Sequence, residues 1–209
     1  MSYRARLRNL DYSRTLATPT TSRLVLLTGQ SAFATSRLTP AQTEFLTEVA
    51  PPHAEVLKIG FPFHPDFDID AGTPGIVAAS MRNTLQVFWS RYSSTYRETV
   101  ARALQPLFTN TGDSLYILTG SCGLQLLASA WPLLEKAKTL SICVIAIGPA
   151  GPAMPNAIAV QGKKDLWSKL LYRGPVTARC NTGHLDYWDS TEVRRIVTEL
   201  LSNPCESHS

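Results

Sequence analysis

Short apolar runs typical of buried β-strands alternate along this chain with stretches whose apolar residues recur at helical spacing. The strand-like runs are 23–28, 55–60, 115–118, 139–147, 157–161 and 176–180. The helix-like stretches are 39–49, 96–108, 123–136 and 191–201. This alternation predicts an α/β fold, with a mostly parallel sheet covered by helices on both faces in a three-layer αβα sandwich. Such sheets bind ligands at the carboxyl ends of their strands, so chemistry is expected in the loops that follow them.

The length and composition fit a single domain with a polar N-terminal arm. The chain has 209 residues, of which 44% are hydrophobic, and this is enough for a substantial core. We expect residues 23–209 to form the domain and residues 1–22 to be a loosely packed arm. Much of the formal charge of +4 comes from arginines in this arm. A solvated arm is the simplest interpretation. Binding to nucleic acid or to another anionic surface is the alternative, but no nucleic-acid-binding motif supports it.

The sequence carries no sign of a membrane span or of a metal site. It has no run of about 18 apolar residues. The four cysteines, at positions 122, 143, 180 and 205, are scattered without the C-x-x-C spacing of zinc sites. A disulfide framework is not expected either, and a reducing cytoplasm is the simplest compartment. No metal or organic cofactor is implied.

A serine flanked by glycines stands where a predicted strand turns directly into a predicted helix. The segment 117–127 reads Ile-Leu-Thr-Gly-Ser-Cys-Gly-Leu-Gln-Leu-Leu, with Ser121 at the corner. A turn of this kind lifts one side chain to its tip, next to the free N–H groups of a helix start. Ser121 is therefore a candidate nucleophile. Cys122 beside it is the alternative, although we expect it to point into the helix packing.

Two further polar residues follow later strands of the predicted sheet. Asp165 lies just beyond run 157–161, and His184 lies just beyond run 176–180. A histidine can take the serine proton as general base, and a carboxylate can orient the imidazole and stabilise its charged form. Asp186 is a rival acid, and Asp165 can also cap a helix.

These three segments together resemble the α/β-hydrolase superfamily. The resemblance rests on Thr119-Gly120-Ser121-Cys122-Gly123 as nucleophile elbow, Gly162-Lys163-Lys164-Asp165 as acid turn, and Gly183-His184 as histidine loop. It implies that Ser121 is the nucleophile, Asp165 the orienting acid and His184 the base. It also implies an oxyanion hole formed by the backbone N–H groups of Gln30, in the turn at 28–31, and Cys122. Thr119 departs from the family pattern, since a glycine usually stands there.

Residues 61–95 show the least regular pattern and are a candidate lid. The segment is rich in aromatic residues, and in this fold it can overhang the nucleophile. Phe61, Phe88 and Trp89 are the candidate substrate-binding residues; the alternative is that these aromatics pack into the core. Arginines in the segment offer a site for a carboxylate or for a phosphate-bearing carrier of a thioester.

The sequence therefore predicts a serine hydrolase that cleaves an ester or thioester through an acyl-enzyme on Ser121. The expected partner is a small-molecule acyl substrate with an apolar acyl group, or a carrier-bound thioester. Two alternatives stay open. An acyltransferase would use the same three residues, and a non-catalytic binding protein would share only the fold.

Overall fold

The computed structural model describes residues 2–30, 32–69 and 76–202, with the backbone alone for residues 76–79. Ser31, residues 70–75 of the candidate lid, and Cys205 lie outside the described residues. The strands are β1 (Thr20–Thr28), β2 (Glu55–Leu57), β3 (Thr111–Gly120), β4 (Ser141–Ile147), β5 (Ala157–Gly162) and β6 (Ala178–Cys180). The α-helices of this part of the chain are α1 (Tyr3–Arg8), α2 (Pro40–Val49), α3 (Ile76–Tyr92), α4 (Ser94–Thr109), α5 (Gly123–Ala130), α6 (Leu166–Leu171) and α7 (Thr191–Ser202).

The strands form one six-stranded sheet in the order β2-β1-β3-β4-β5-β6. Every neighbouring pair is parallel. The register aligns the end of β1 with the end of β3, because Thr28 pairs with Gly120. The end of β3 is aligned with β4 in the same way, through Gly120 and Ile147. The predicted α/β class with a parallel sheet is confirmed, and the carboxyl ends of the central strands lie at one edge.

Side chains of the central strands alternate between two hydrophobic cores. Val25 and Leu27 of β1 belong to the core on one face, which holds residues of α4 and α5. Leu24 and Leu26 belong to the core on the other face, which holds residues of α2 and α7. Strands buried on both faces read as continuous apolar runs, and this is why they were recognisable in the sequence.

Local signals place the helix starts. The side chain of Thr39 accepts a hydrogen bond from the backbone N–H of Gln42, and the side chain of Gln42 accepts one from the backbone N–H of Thr39. Pro40 occupies the first position of α2, where its missing N–H costs nothing. Ser93 caps α4 in the same way, through the backbone N–H of Tyr96. The two helices then pack in different cores, α2 on one face of the sheet and α4 on the other.

The N-terminal segment is more ordered than the predicted loose arm. Residues 3–8 form α1, and Leu7 and Ala17 are fully buried. The first strand begins at Thr20, so the expected boundary between residues 22 and 23 falls inside β1. The segment packs because its few apolar side chains reach the core that also holds α4.

Helix α3 is the largest element that the sequence analysis did not assign. The 17-residue helix occupies much of the segment 61–95, for which the sequence showed the least regular pattern and left a lid or a loop and helix as alternatives. Its apolar stripe, Met81, Leu85, Phe88 and Tyr92, faces solvent, whereas the polar Gln86 is buried. No helix of the described residues is long and apolar enough to cross a membrane.

Candidate active site

Ser121 stands at a strained corner between β3 and α5. Its φ is +50°, in the left-handed region that residues other than glycine rarely adopt. Gly123 makes the tight turn possible, because a Cβ at this position would lie 1.9 Å from the carbonyl oxygen of Leu27. A residue held in such a conformation is over-determined by its surroundings, and such residues cluster at functional sites.

The structure brings Ser121, His184 and Asp165 into one hydrogen-bonded chain. Ser121 Oγ lies 3.2 Å from His184 Nε2. His184 Nδ1 lies 2.9 Å from Asp165 Oδ2. The side chain of Asp165 is fully buried, whereas that of His184 is 22% exposed. The geometry fits an imidazole that donates from Nδ1 to the carboxylate and accepts the serine proton at Nε2.

The Asp165 carboxylate is held by three donors. Besides His184, the backbone N–H of Ser168 donates to Oδ1 at 2.9 Å, and the Tyr187 hydroxyl donates to Oδ2 at 2.8 Å. Burial alone would raise the pKa of Asp165, but these hydrogen bonds outweigh it and lower that pKa below its ordinary value. The carboxylate is therefore ionised at neutral pH, as it must be in order to orient an imidazole. The helix-capping role expected for Asp165 as an alternative is present as well.

Tyr187 is a residue of this site that the sequence analysis missed. Its hydroxyl accepts a hydrogen bond from the backbone N–H of Gly162 at 2.7 Å while it donates to Asp165. The ring is buried and fills the space above Gly148, where a Cβ would lie 2.4 Å from a ring carbon. The only sequence signal was an aromatic residue three positions after His184.

The rival residues lie elsewhere. Asp186 is exposed, and its carboxylate accepts from the backbone N–H of Gly183, so it stabilises the histidine loop. The Cys122 thiol is buried next to Gly29, and burial raises its pKa to about 12. A thiol with such a pKa stays protonated at neutral pH and is a poor nucleophile. No cluster of three metal-ligating residues occurs in the described ranges.

The two predicted oxyanion donors differ in their surroundings. The backbone N–H of Cys122 lies at the N-terminus of α5, where helix N–H groups lack intrahelical partners. The backbone N–H of Gln30, in contrast, already donates to Gln86 Oε1 at 3.1 Å. Gln86 Nε2 returns a hydrogen bond to the carbonyl of Gln30 at 2.9 Å. Gln30 and Gln86 are both buried, so this reciprocal pair ties α3 to the loop after β1.

The loop after β1 is also held from the N-terminal segment. The Tyr3 hydroxyl donates to Gln30 Oε1, and the Tyr3 ring stacks on Phe33 at 3.9 Å between centroids. From α3, the Asn83 amide packs on Gly29, and its Oδ1 is buried with no hydrogen-bond partner among the described residues. Tyr3, Gln86 and Asn83 had no distinguishing sequence signal, because each acts through a partner remote in the chain.

The three candidate substrate-binding aromatic residues differ in their burial. Phe61 is 2% exposed and packs edge-to-face on Phe63 in the core, so the structure does not bring it to the site. Trp89 is partly buried between Tyr3 and Tyr96. Phe88 is 56% exposed on α3. Of the three, Phe88 alone presents most of its surface to solvent.

A comparison of the sequence with protein-family models and with curated proteins finds no match.

Proposed function

We propose that this protein is a serine hydrolase of ester or thioester bonds. The observation that carries the proposal is the hydrogen-bonded chain from Ser121 through His184 to the buried Asp165. These residues follow β3, β6 and β5, and they converge at the carboxyl ends of the strands. A non-catalytic binding protein would have no need for this convergence or for the strained conformation of Ser121.

In the proposed reaction, His184 Nε2 takes the proton from Ser121 Oγ as the oxygen attacks the acyl carbon. The ionised Asp165 holds the imidazole in the tautomer with its proton on Nδ1 and stabilises the imidazolium that forms. The same proton then goes from Nε2 to the leaving alcohol or thiol. In the second half, His184 Nε2 takes a proton from a water molecule that attacks the acyl carbon. His184 then returns this proton to Ser121 Oγ as the bond between Oγ and the acyl carbon breaks and the acid is released.

The negative charge that develops on the acyl oxygen needs backbone donors beside Ser121. The N–H of Cys122 lies at the start of α5, where it is suited to this role. The N–H of Gln30 is occupied by Gln86 Oε1. Gln30 can serve as the second donor if it exchanges this carbonyl for the oxyanion, which is a better acceptor because it is charged.

The proposed fold family is that of the α/β-hydrolases. Its support is the strand order β2-β1-β3-β4-β5-β6 together with the positions of the three residues in this order. Ser121 follows the central strand β3 and precedes α5. Asp165 follows β5 and His184 follows β6, the second and third strands from β3 in the sheet.

The proposed substrate carries an apolar acyl group. Met81, Leu85, Phe88 and Tyr92 form a row of exposed apolar side chains along α3. The same helix contacts the loop after β1 through Asn83 and Gln86. An acyl chain that lies along this row would reach the serine from the side of the oxyanion donors.

The test is labelling with a fluorophosphonate probe, followed by mapping of the modified residue by mass spectrometry. We expect modification of Ser121 in the wild type and none in Ser121→Ala, whereas Ser129→Ala, a change within α5, keeps the label. Absence of label at Ser121 in a folded protein would refute the proposal. Product analysis with a competing alcohol or amine then separates hydrolysis from acyl transfer, because an acyltransferase gives mainly the new ester or amide despite excess water, whereas a hydrolase gives mainly the free acid.

A further inference from the structure

Helix α6 presents its apolar side chains to solvent instead of to the core. Leu166, Trp167, Leu170 and Leu171, here termed the α6 patch, are 74%, 61%, 60% and 44% exposed. Ser168, a polar residue within the same helix, is fully buried. A soluble surface helix normally has the opposite arrangement, and clustered exposed apolar side chains mark interaction sites.

Buried polar contacts impose this orientation. The backbone N–H of Ser168 donates to Asp165 Oδ1 at 2.9 Å, and Gln161 Nε2 donates to Ser168 Oγ at 3.1 Å. These contacts turn Ser168 inward, and Leu166 and Leu170, two residues before and after it, lie on the opposite, solvent-facing side of the helix. The α6 patch is therefore a fixed feature of the fold and not a frayed end.

Positive charge surrounds the α6 patch. Lys163, Lys164, Lys169 and Arg173 are all exposed. The acidic residue of the segment 162–173 is Asp165, which is fully buried. The surface of this segment thus combines Leu and Trp side chains with four cations and no exposed carboxylate. This is the composition of segments that bind at the interface of anionic membranes.

We propose that α6 docks the protein on an anionic lipid bilayer, with the α6 patch inserted among the headgroups and the cations beside the lipid phosphates. Trp167 suits this position because an indole ring is amphipathic and favours the membrane interface. A second copy of the chain is a poor occupant, since a two-fold contact through this surface would place its cations opposite each other.

The docking surface adjoins the candidate active site. Leu166 directly follows Asp165, and the exposed Leu185 directly follows His184, its hydrogen-bonded partner. A membrane bound at α6 would lie beside the loops that hold Ser121 and His184. Docking itself does not depend on the proposed chemistry. The Ser121→Ala variant is therefore expected to bind vesicles with the same affinity as the wild type.

The test is co-sedimentation of the full chain with vesicles of equal amounts of phosphatidylcholine and phosphatidylserine, with pure phosphatidylcholine vesicles for comparison. We expect binding to the anionic vesicles that high salt weakens. A basic residue near an anionic surface contributes about five-fold in partitioning, so Lys163→Ala with Lys169→Ala should lower binding about 25-fold. Trp167→Ser with Leu170→Ser should abolish it, and Leu133→Ser, a control that changes a 49% exposed leucine elsewhere, should not.

Tryptophan fluorescence locates the contact. The emission should shift to shorter wavelength on anionic vesicles, and Trp167→Phe should remove the shift while binding persists. Equal binding of the wild type and the Trp167→Ser, Leu170→Ser variant would overturn the proposal. Loss of binding in Phe88→Ser alone would move the contact to α3 and overturn it as well. A dimer that forms without vesicles and is lost in Trp167→Ser, as measured by sedimentation velocity, would also overturn the proposal, because the α6 patch would then be a contact between two copies of the chain.

Discussion

Replacing Tyr187 with phenylalanine removes a single hydroxyl group that has two buried partners. The hydroxyl donates to Asp165 Oδ2 at 2.8 Å and accepts from the backbone N–H of Gly162 at 2.7 Å. The ring is 3% exposed, and phenylalanine keeps its shape and its packing against Gly148. The substitution therefore tests the hydrogen bonds of the candidate site without creating a cavity.

The expected loss is large for one oxygen atom. A hydrogen bond to a charged group contributes about 1.5–3 kcal/mol to stability, and a buried N–H left without a partner costs about 1–3 kcal/mol. We therefore expect Tyr187→Phe to lower the free energy of unfolding by about 4 kcal/mol at neutral pH. Tyr116→Phe, a change at a half-buried tyrosine of β3, is the matched control and should lower it by much less.

The loss should depend on pH. Asp165 has a lowered pKa in the folded state, so its ionisation stabilises the fold above the unfolded pKa of about 3.9, and this stabilisation is lost as the pH falls through the folded pKa. Tyr187 is one of the donors that lower the pKa. Its removal raises the pKa of Asp165 and takes away part of the pH-dependent stability. The difference between the variant and the wild type should therefore shrink as the pH falls below about 4.

Urea denaturation at a series of pH values measures this difference. The contribution of the Gly162 N–H is the same at every pH, whereas the contribution of the Asp165 carboxylate is not. A constant difference from neutral pH down to the acid range would refute the argument that Tyr187 stabilises the ionised carboxylate. In activity assays, the variant should lose kcat more than KM changes, because Tyr187 positions Asp165 and does not touch the substrate.

Asp165→Asn should lower kcat by about 10⁴-fold, because an amide favours the wrong imidazole tautomer, and Asp186→Asn should have little effect; steady-state kinetics that ranked them in reverse would reassign the acid. Phe88→Ala should lower kcat/KM for long-chain acyl esters more than for acetyl esters, at about 0.8 kcal/mol per methylene that loses its contact, and equal losses with a lower Tm would make Phe88 a structural residue. Arg23 is buried, its Nε and Nη1 have no partner among the described residues, and burial lowers its pKa. Arg23→Met should leave Tm unchanged or raise it, whereas Glu55→Ala should lower it, because it leaves the buried charge without its partner at 3.4 Å.

Much of the sheet could be predicted because strands buried on two faces leave continuous apolar runs. The run 139–147 became β4, and the run 157–161 became β5, each within two residues of the expected bounds. The positions of Ser121, Asp165 and His184 after strands could be predicted for the same reason. That they converge to hydrogen-bond distance follows from the parallel topology, which places these strand ends at one edge.

Helix α3 was not assigned from the sequence, although Met81, Leu85, Phe88 and Tyr92 recur at the spacing of one helix face. On α3, Gln86 and Ser90 are buried, while Phe88 and Tyr92 are exposed. Gln86 lies on the buried side of the helix, where a leucine is usual, because its side chain hydrogen-bonds both the N–H and the carbonyl of Gln30. The sequence could not show that the apolar face of α3 is the exposed one, because the contact that buries Gln86 joins residues far apart in the chain.

Helix α6 likewise exposes its apolar side chains while the polar Ser168 is buried. Ser168 faces inward because the backbone at this position caps onto Asp165, and the carboxylate must stay hydrogen-bonded in order to remain ionised in a buried environment. Leu166 and Leu170 then lie on the side of the helix opposite Ser168 and face solvent. The donors that hold one buried carboxylate thus contribute to the orientation of α6. It follows that the exposure of Leu166 and Leu170 is in part a consequence of how Asp165 is held, and a membrane-docking role would use a surface that the candidate active site itself helps to orient.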